Sequence, residues 1–101
     1  VIDTQIIAFT VMGEASVCGF MGMLAAYYVC QRSICYGWQE PNDMAKMVAR
    51  WGWLFRDPTD GAEHLVSKQD LKQARVRAFT SDIGPPKATF ECKGGLALYA
   101  Y

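Results

Sequence analysis

"TVMGEASVCGFMGMLAAYYVCQRS", residues 10–33, carries one acid, Glu14, and then no charge until Arg32. Within it Met21, Leu24, Ala25, Tyr28, Val29 and Arg32 recur at the i, i+3, i+4, i+7, i+8, i+11 spacing of one helical face. A spanning helix needs about twenty apolar residues. The uncharged run from Ala15 to Gln31 is shorter and is interrupted by Ser16, Gly19, Gly22 and Gln31, so it reads as a buried core helix rather than a membrane span. Gly19 and Gly22 let a neighbouring backbone approach closely.

Upstream, "VIDTQIIAFTVMG" offers Asp3 or Thr4 as a helix cap, with Ile2, Ile6, Phe9 and Met12 or Gly13 on one side. This predicts a first helix ending near Gly13. Glu14 then stands at or just after the junction of two helices, with apolar sequence on either side. A carboxylate there is expected to be partly desolvated.

Downstream, "SICYGWQEPND" reads as a loop. Asn42 or Asp43 caps a third helix through "MAKMVARWGWLF", with Met44, Met47, Val48, Trp51 and Phe55 on a shared face. On that spacing Trp51 is a core residue. "RDPTDGA" ends the helix through Pro58 and Gly61, and Ser67 caps a fourth helix over about Lys68 to Phe79. "ATFECKGGLALYAY" alternates around Gly94 and Gly95 as two short strands of a hairpin. The fold class is therefore α+β, mainly helical, with four helices and a short C-terminal β element.

The 101 residues suit one domain, 1–101. Hydrophobic residues make up 51% and charged residues 20%, a globular composition. Ten basic and ten acidic residues balance, so net charge selects neither nucleic acid nor an anionic membrane as partner. The chain starts at "VIDTQIIAF" without a basic n-region, so no signal peptide is expected. Cys18, Cys30, Cys35 and Cys92 allow three pairings if all are bridged. Their spacing does not suit zinc, and buried free thiols are the simplest reading. Neither metal nor cofactor is expected.

A single desolvated acid suits glycosidic bond cleavage, in which a carboxylic acid protonates the leaving oxygen. Most glycosidases add a second carboxylate. A lytic transglycosylase works with one, because the sugar's own 6-hydroxyl attacks the anomeric carbon and the same residue takes its proton.

"GEASVCGFMGMLAAYYVCQRS" resembles the signature of the bacterial and phage cell-wall hydrolases related to the spore-cortex-lytic enzymes. Gly13, Glu14, Ala15, Gly19, Gly22, Met23, Ala25 and Arg32 fill its pattern. "DPTDGAEH" and "DIGPPKATFEC" resemble two later family motifs, in the same order. Gln31 stands where the family usually has Asn, and Asp60 where it commonly has Gly. The resemblance covers about Ile2 to Cys92 and implies a lysozyme-like domain that cleaves the MurNAc-β-1,4-GlcNAc bond of peptidoglycan. It places the catalytic acid on Glu14, held protonated by the apolar helix, and borders the glycan groove with Thr59, Asp60, Gly61 and Ala62. The implied partner is the glycan strand, with no nucleic acid and no membrane insertion. The implied setting is the bacterial cell wall or periplasm, or the exterior or virion for a phage protein.

Trp38, in a polar loop, is the better sugar platform among the three tryptophans. His64 stands close enough in sequence to the 59–62 turn to hydrogen-bond substrate. Asp57 and Asp60 are the candidates for a second acid if water is the acceptor. Two other classes compete with an enzyme: a glycan-binding or structural module of the same fold, and a small membrane-active protein using the stretch from Ala15.

Overall fold

The computed structural model describes residues 3–32, 37–63, 65–67, 90–91 and 98–100. Helix α1 spans Thr4–Ala15 and is capped by Asp3, whose Oδ1 accepts from the Gln5 N–H at 2.7 Å. It runs past Gly13, where the sequence predicts its end. The Ser16 N–H closes its last turn on the Met12 carbonyl, and a 3-10 turn, Ser16–Cys18, leads to α2, Gly19–Arg32. Gly19 turns the chain with φ 65°, a conformation that favours glycine. Glu14 therefore belongs to the last turn of α1.

Helix α2 is enclosed. Gly22 through Tyr27, Val29 and Cys30 are all buried, and they point in nearly every direction around the axis. Met21, placed by periodicity on the buried face, is exposed instead. The apolar stretch is thus a core helix, and no helix among the described residues is long and apolar enough to cross a membrane.

Helices α1 and α3 wrap α2, and both differ from their predicted faces. The buried face of α1 is Ile7, Ala8, Val11 and Ala15, joined by Thr10, while Ile6 is exposed and Phe9 and Met12 are half-buried. Apolar residues lie all round this helix, so hydrophobic periodicity could not choose between neighbouring stripes. Helix α3, Asp43–Trp51, starts at the predicted cap, with Asn42 Oδ1 accepting from the Ala45 N–H at 2.9 Å. Its buried face is Ala45, Val48 and Ala49, continued by Gly52 in the 3-10 turn Gly52–Leu54.

Of the predicted face of α3, Met44, Met47, Trp51 and Phe55 are exposed, so the core assignment of Trp51 is corrected. The reason is closeness of approach. A Cβ on Gly52 would lie 2.8 Å from the Tyr27 ring, so the helix comes near enough to α2 that small residues are required at the contact.

Cys18, just before α2, and Cys30, in its last turns, are both disulfide-bonded, which corrects the expectation of free thiols. Eleven residues lie between them, and from Gly19 to Cys30 α2 alone rises about 16 Å at 1.5 Å per residue. Bridged cysteines have Cα atoms within about 7 Å. They are therefore not bonded to each other, and their partners lie outside the described residues.

Three short strands pair antiparallel through their backbones in the order β1-β3-β2. They are β1 Leu65–Ser67, β2 Phe90–Glu91 and β3 Leu98–Ala100, with Val66 opposite Tyr99 and Glu91 also opposite Tyr99. Ser67 thus ends a strand. The predicted fourth helix over about Lys68 to Phe79 and the hairpin turn at Gly94 and Gly95 lie outside the described residues. The described part is a mainly helical small domain.

The face chosen by α3 is open to a direct test. Ala49→Leu is expected to cost about 1–3 kcal/mol through overpacking, whereas Met47→Ala stays within about 0.5 kcal/mol of wild type in urea denaturation. The reverse order would restore the face predicted from sequence.

Candidate functional site

Glu14 sits half-buried in the last turn of α1, between two residues that other elements contact or bury. Ala15, after it, is fully buried. Gly13, before it, lies under the Trp38 indole: a Cβ at Gly13 would collide with Trp38 Cε2, Cζ2 and Nε1. The loop reaches this place because Gly37 also lies tight on α1, where an added Cβ would stand 2.9 Å from Phe9 Cβ. Trp38 nevertheless keeps 52% of its surface exposed. An exposed aromatic face is a surface on which a pyranose ring can stack.

The second predicted cluster is built differently. Arg32, the last residue of α2, forms an ion pair with Asp57 Oδ2. Its Nη1 donates to the Ala62 carbonyl at 2.9 Å and to Thr59 Oγ1 at 3.2 Å. Asp57 folds the turn on itself: its Oδ1 accepts from the Thr59 N–H at 2.8 Å and the Thr59 hydroxyl at 2.7 Å, and its Oδ2 accepts from the Gly61 N–H at 3.2 Å. Thr59 Oγ1 also accepts from the Ala62 N–H at 3.2 Å. With one proton donated and two received, that hydroxyl is saturated, and Thr59 is fully buried.

The turn is closed by Asp60 at φ 53° and Gly61 at φ 89°, left-handed positions that Asp tolerates and Gly favours. Of the four residues assigned to a groove, Thr59 and Ala62 face inward and Asp60 and Gly61 are exposed. His64 lies outside the described residues.

Burial pushes the Asp57 carboxyl up, but hydrogen bonds from the Thr59 and Arg32 side chains and from the Thr59 and Gly61 backbone outweigh it and hold the group below its ordinary 3.8. A carboxylate so paired is a poor base and a poor nucleophile. Tyr28 packs on the same cluster, with the Arg32 guanidinium 5.7 Å from its ring centroid and its hydroxyl donating to the Phe55 carbonyl. Burial, Tyr27 and Asp57 raise its phenol against the pull of Arg32. Glu14 precedes α2 and Arg32 ends it, so the Asp57 cluster and Glu14 occupy opposite ends of that helix.

Sequence reasoning assigned Arg32 to a motif but missed its partners. The available signal was electrostatic: a lone cation closing an apolar helix needs a counter-charge, and "DPTDGA" is one of the two acid-bearing loop stretches that follow it, after "QEPND". A cleft of about 660 Å³ lies elsewhere, between the first half of α1 and α3, lined by Gln5, Phe9, Glu40, Pro41, Lys46 and Arg50 among others. Gln5 and Phe9 stand roughly 140–180° around α1 from Glu14 at 100° per residue, so the cleft and the acid open on different faces. Among the described residues, no three His, Cys, Asp or Glu side chains cluster to hold a metal ion.

No protein family, curated protein or solved structure matches this chain.

The depressed Asp57 carboxyl contributes stability that is complete above its ordinary 3.8 and is lost as pH falls through the lower folded value. Asp57→Asn is expected to lower stability at neutral pH by about 1–3 kcal/mol. In denaturation series from pH 7 downward, its deficit relative to wild type should shrink below 3.8. A deficit constant to about pH 2 would exclude this carboxylate as the source.

Proposed function

We propose that this protein cleaves peptidoglycan glycan strands as a lytic transglycosylase, with Glu14 as its single acid and base. The observation that carries the reading is the Trp38 indole seated on Gly13, which puts an exposed aromatic platform one residue from Glu14. The motif resemblance selects the same carboxylate. Asp57 adds support of a negative kind, since its acceptor positions are filled by four donors.

In this mechanism a MurNAc ring stacks on Trp38 and presents its glycosidic oxygen to Glu14. The carboxylic acid gives its proton to that oxygen as the C1–O bond breaks, releasing the GlcNAc hydroxyl. The 6-hydroxyl of the same MurNAc then bonds to C1, and its proton returns to the Glu14 carboxylate. The product is a 1,6-anhydromuramic end, and no water is consumed. Glu14 stands at the negative end of the α1 dipole, a place that does not favour a full negative charge.

The proposal extends to a lysozyme-like arrangement with the fourth helix and C-terminal β element expected from sequence. It also places the protein in a cell-wall setting, either bacterial or phage-derived, for which the disulfides of Cys18 and Cys30 are chemically suited. The exposed Trp38 platform equally serves a glycan-binding module without turnover, which is the second reading.

Mass spectrometry of fragments released from purified peptidoglycan separates these readings. Wild type is expected to release 1,6-anhydro ends and Glu14→Gln to lose at least about a hundredfold in rate. Reducing ends would mean hydrolysis, and release by neither protein would favour the binding module. Trp38→Ala should raise KM about tenfold with kcat less affected, since it removes stacking and leaves the acid in place.

A further inference from the structure

We propose that the cleft between α1 and α3 is a binding site for a short zwitterionic peptide, a ligand that carries ammonium and carboxylate groups together. The cleft holds about 660 Å³, which lies within the range of small-ligand sites. Part of its lining is apolar, with Ala8 and Pro41 buried and Phe9 half-buried. Charges of both signs complete it: Lys46 and Arg50 from α3, Asp3 from the start of α1, and Glu40 from the loop before α3. The charges balance, yet they do not neutralise one another. Among the described residues no ion pair joins either cation to either acid.

The arrangement of signs selects the ligand. Lys46 and Arg50 stand one helical turn apart, a like-charge pair that a helix alone does not favour. A carboxylate between them removes that repulsion and takes charge-assisted hydrogen bonds from both. Asp3 is held in place by its cap bond, in which Oδ1 accepts from the Gln5 N–H, and with Glu40 it offers carboxylate oxygens to an ammonium group. A purely anionic ligand meets Asp3 and Glu40, and a purely cationic one meets Lys46 and Arg50, so the lining is complementary only to a molecule bearing both charges. The Thr4 hydroxyl and the Gln5 amide, which also line the cleft, supply a donor and an acceptor for a peptide bond, and Phe9 with Pro41 supplies apolar surface for a side chain. Two sources provide this chemistry, a free oligopeptide and the peptide branch of a peptidoglycan strand, of which the second rests on the cleavage reading above.

The test is isothermal titration calorimetry of the full chain with the tripeptide L-Ala-γ-D-Glu-L-Lys and with the same tripeptide amide-linked to N-acetylmuramic acid. Binding of at least one form with a Kd of about 1 mM or tighter is expected. Succinate and putrescine, which carry one sign of charge each, should bind at least about tenfold more weakly. Lys46→Gln with Arg50→Gln should weaken peptide binding about tenfold or more. Asp3→Asn with Glu40→Gln should do the same, and asparagine at position 3 keeps the α1 cap. All four side chains are exposed, so the far-UV circular dichroism of both double variants should match wild type. Binding of the muramyl form alone assigns the peptidoglycan branch as the source, and tighter binding of the free form assigns an oligopeptide. No binding of either form, succinate or putrescine binding as tightly as the peptide, or folded double variants that bind like wild type would each overturn the proposal. Calorimetry reads this site without glycan cleavage, so the failure of one reading is distinguished from the failure of the other.

Discussion

Helix α2 is buried on nearly every side, and a small chain can enclose such a helix only if its neighbours come close. The buried residues of α3 are accordingly small, Ala45, Ala49 and Gly52 around a single Val48, and Gly52 meets the flat Tyr27 ring at a distance no larger residue allows. Close approach trades side-chain volume for backbone proximity. The larger apolar residues of α3 are consequently displaced outward, and the exposed stripe of methionine and tryptophan is the other side of the same packing solution. Glu14 depends on it too, because the end of α1 is fixed by Ala15 against that core.

The two ends of α2 are finished by different chemistry. At its start the chain turns on Gly19 and leaves Glu14 half-buried, next in sequence to the Gly13 that the Trp38 indole covers. At its end Arg32 gathers Asp57, Thr59 and Ala62 into a cluster in which every polar atom of the Thr59 hydroxyl and both Asp57 oxygens are engaged. An arginine there also suits the negative end of the α2 dipole. With its acceptors filled, the Asp57 cluster holds the end of α2 and the 57–62 turn in one arrangement.

Much of the local structure was legible in the sequence. Asp3 and Asn42 could be read as caps because capping depends on two or three adjacent residues. The enclosed character of α2 followed from its lack of charge. The buried faces of α1 and α3 were not legible, since periodicity rewards the largest apolar residues and the helix contacts here selected the small ones. Trp51 shows this most plainly. The seat of Trp38 on Gly13 was hidden for another reason, because it is a contact between residues twenty-five apart in sequence, with Gly37 set against Ile6 and Phe9 of α1. The glycine before Glu14 was visible in the sequence, but what it made room for was not.

The covalent tethers at Cys18 and Cys30 bracket the enclosed helix α2. Helices ordinarily exchange their amides first at the ends, where turns fray one residue at a time. Here each end is tied to chain outside the helix, so neither can unwind freely into solvent. Opening of α2 therefore requires its packing neighbours to let go together, and the amides from Gly22 to Val29 share one cooperative opening event.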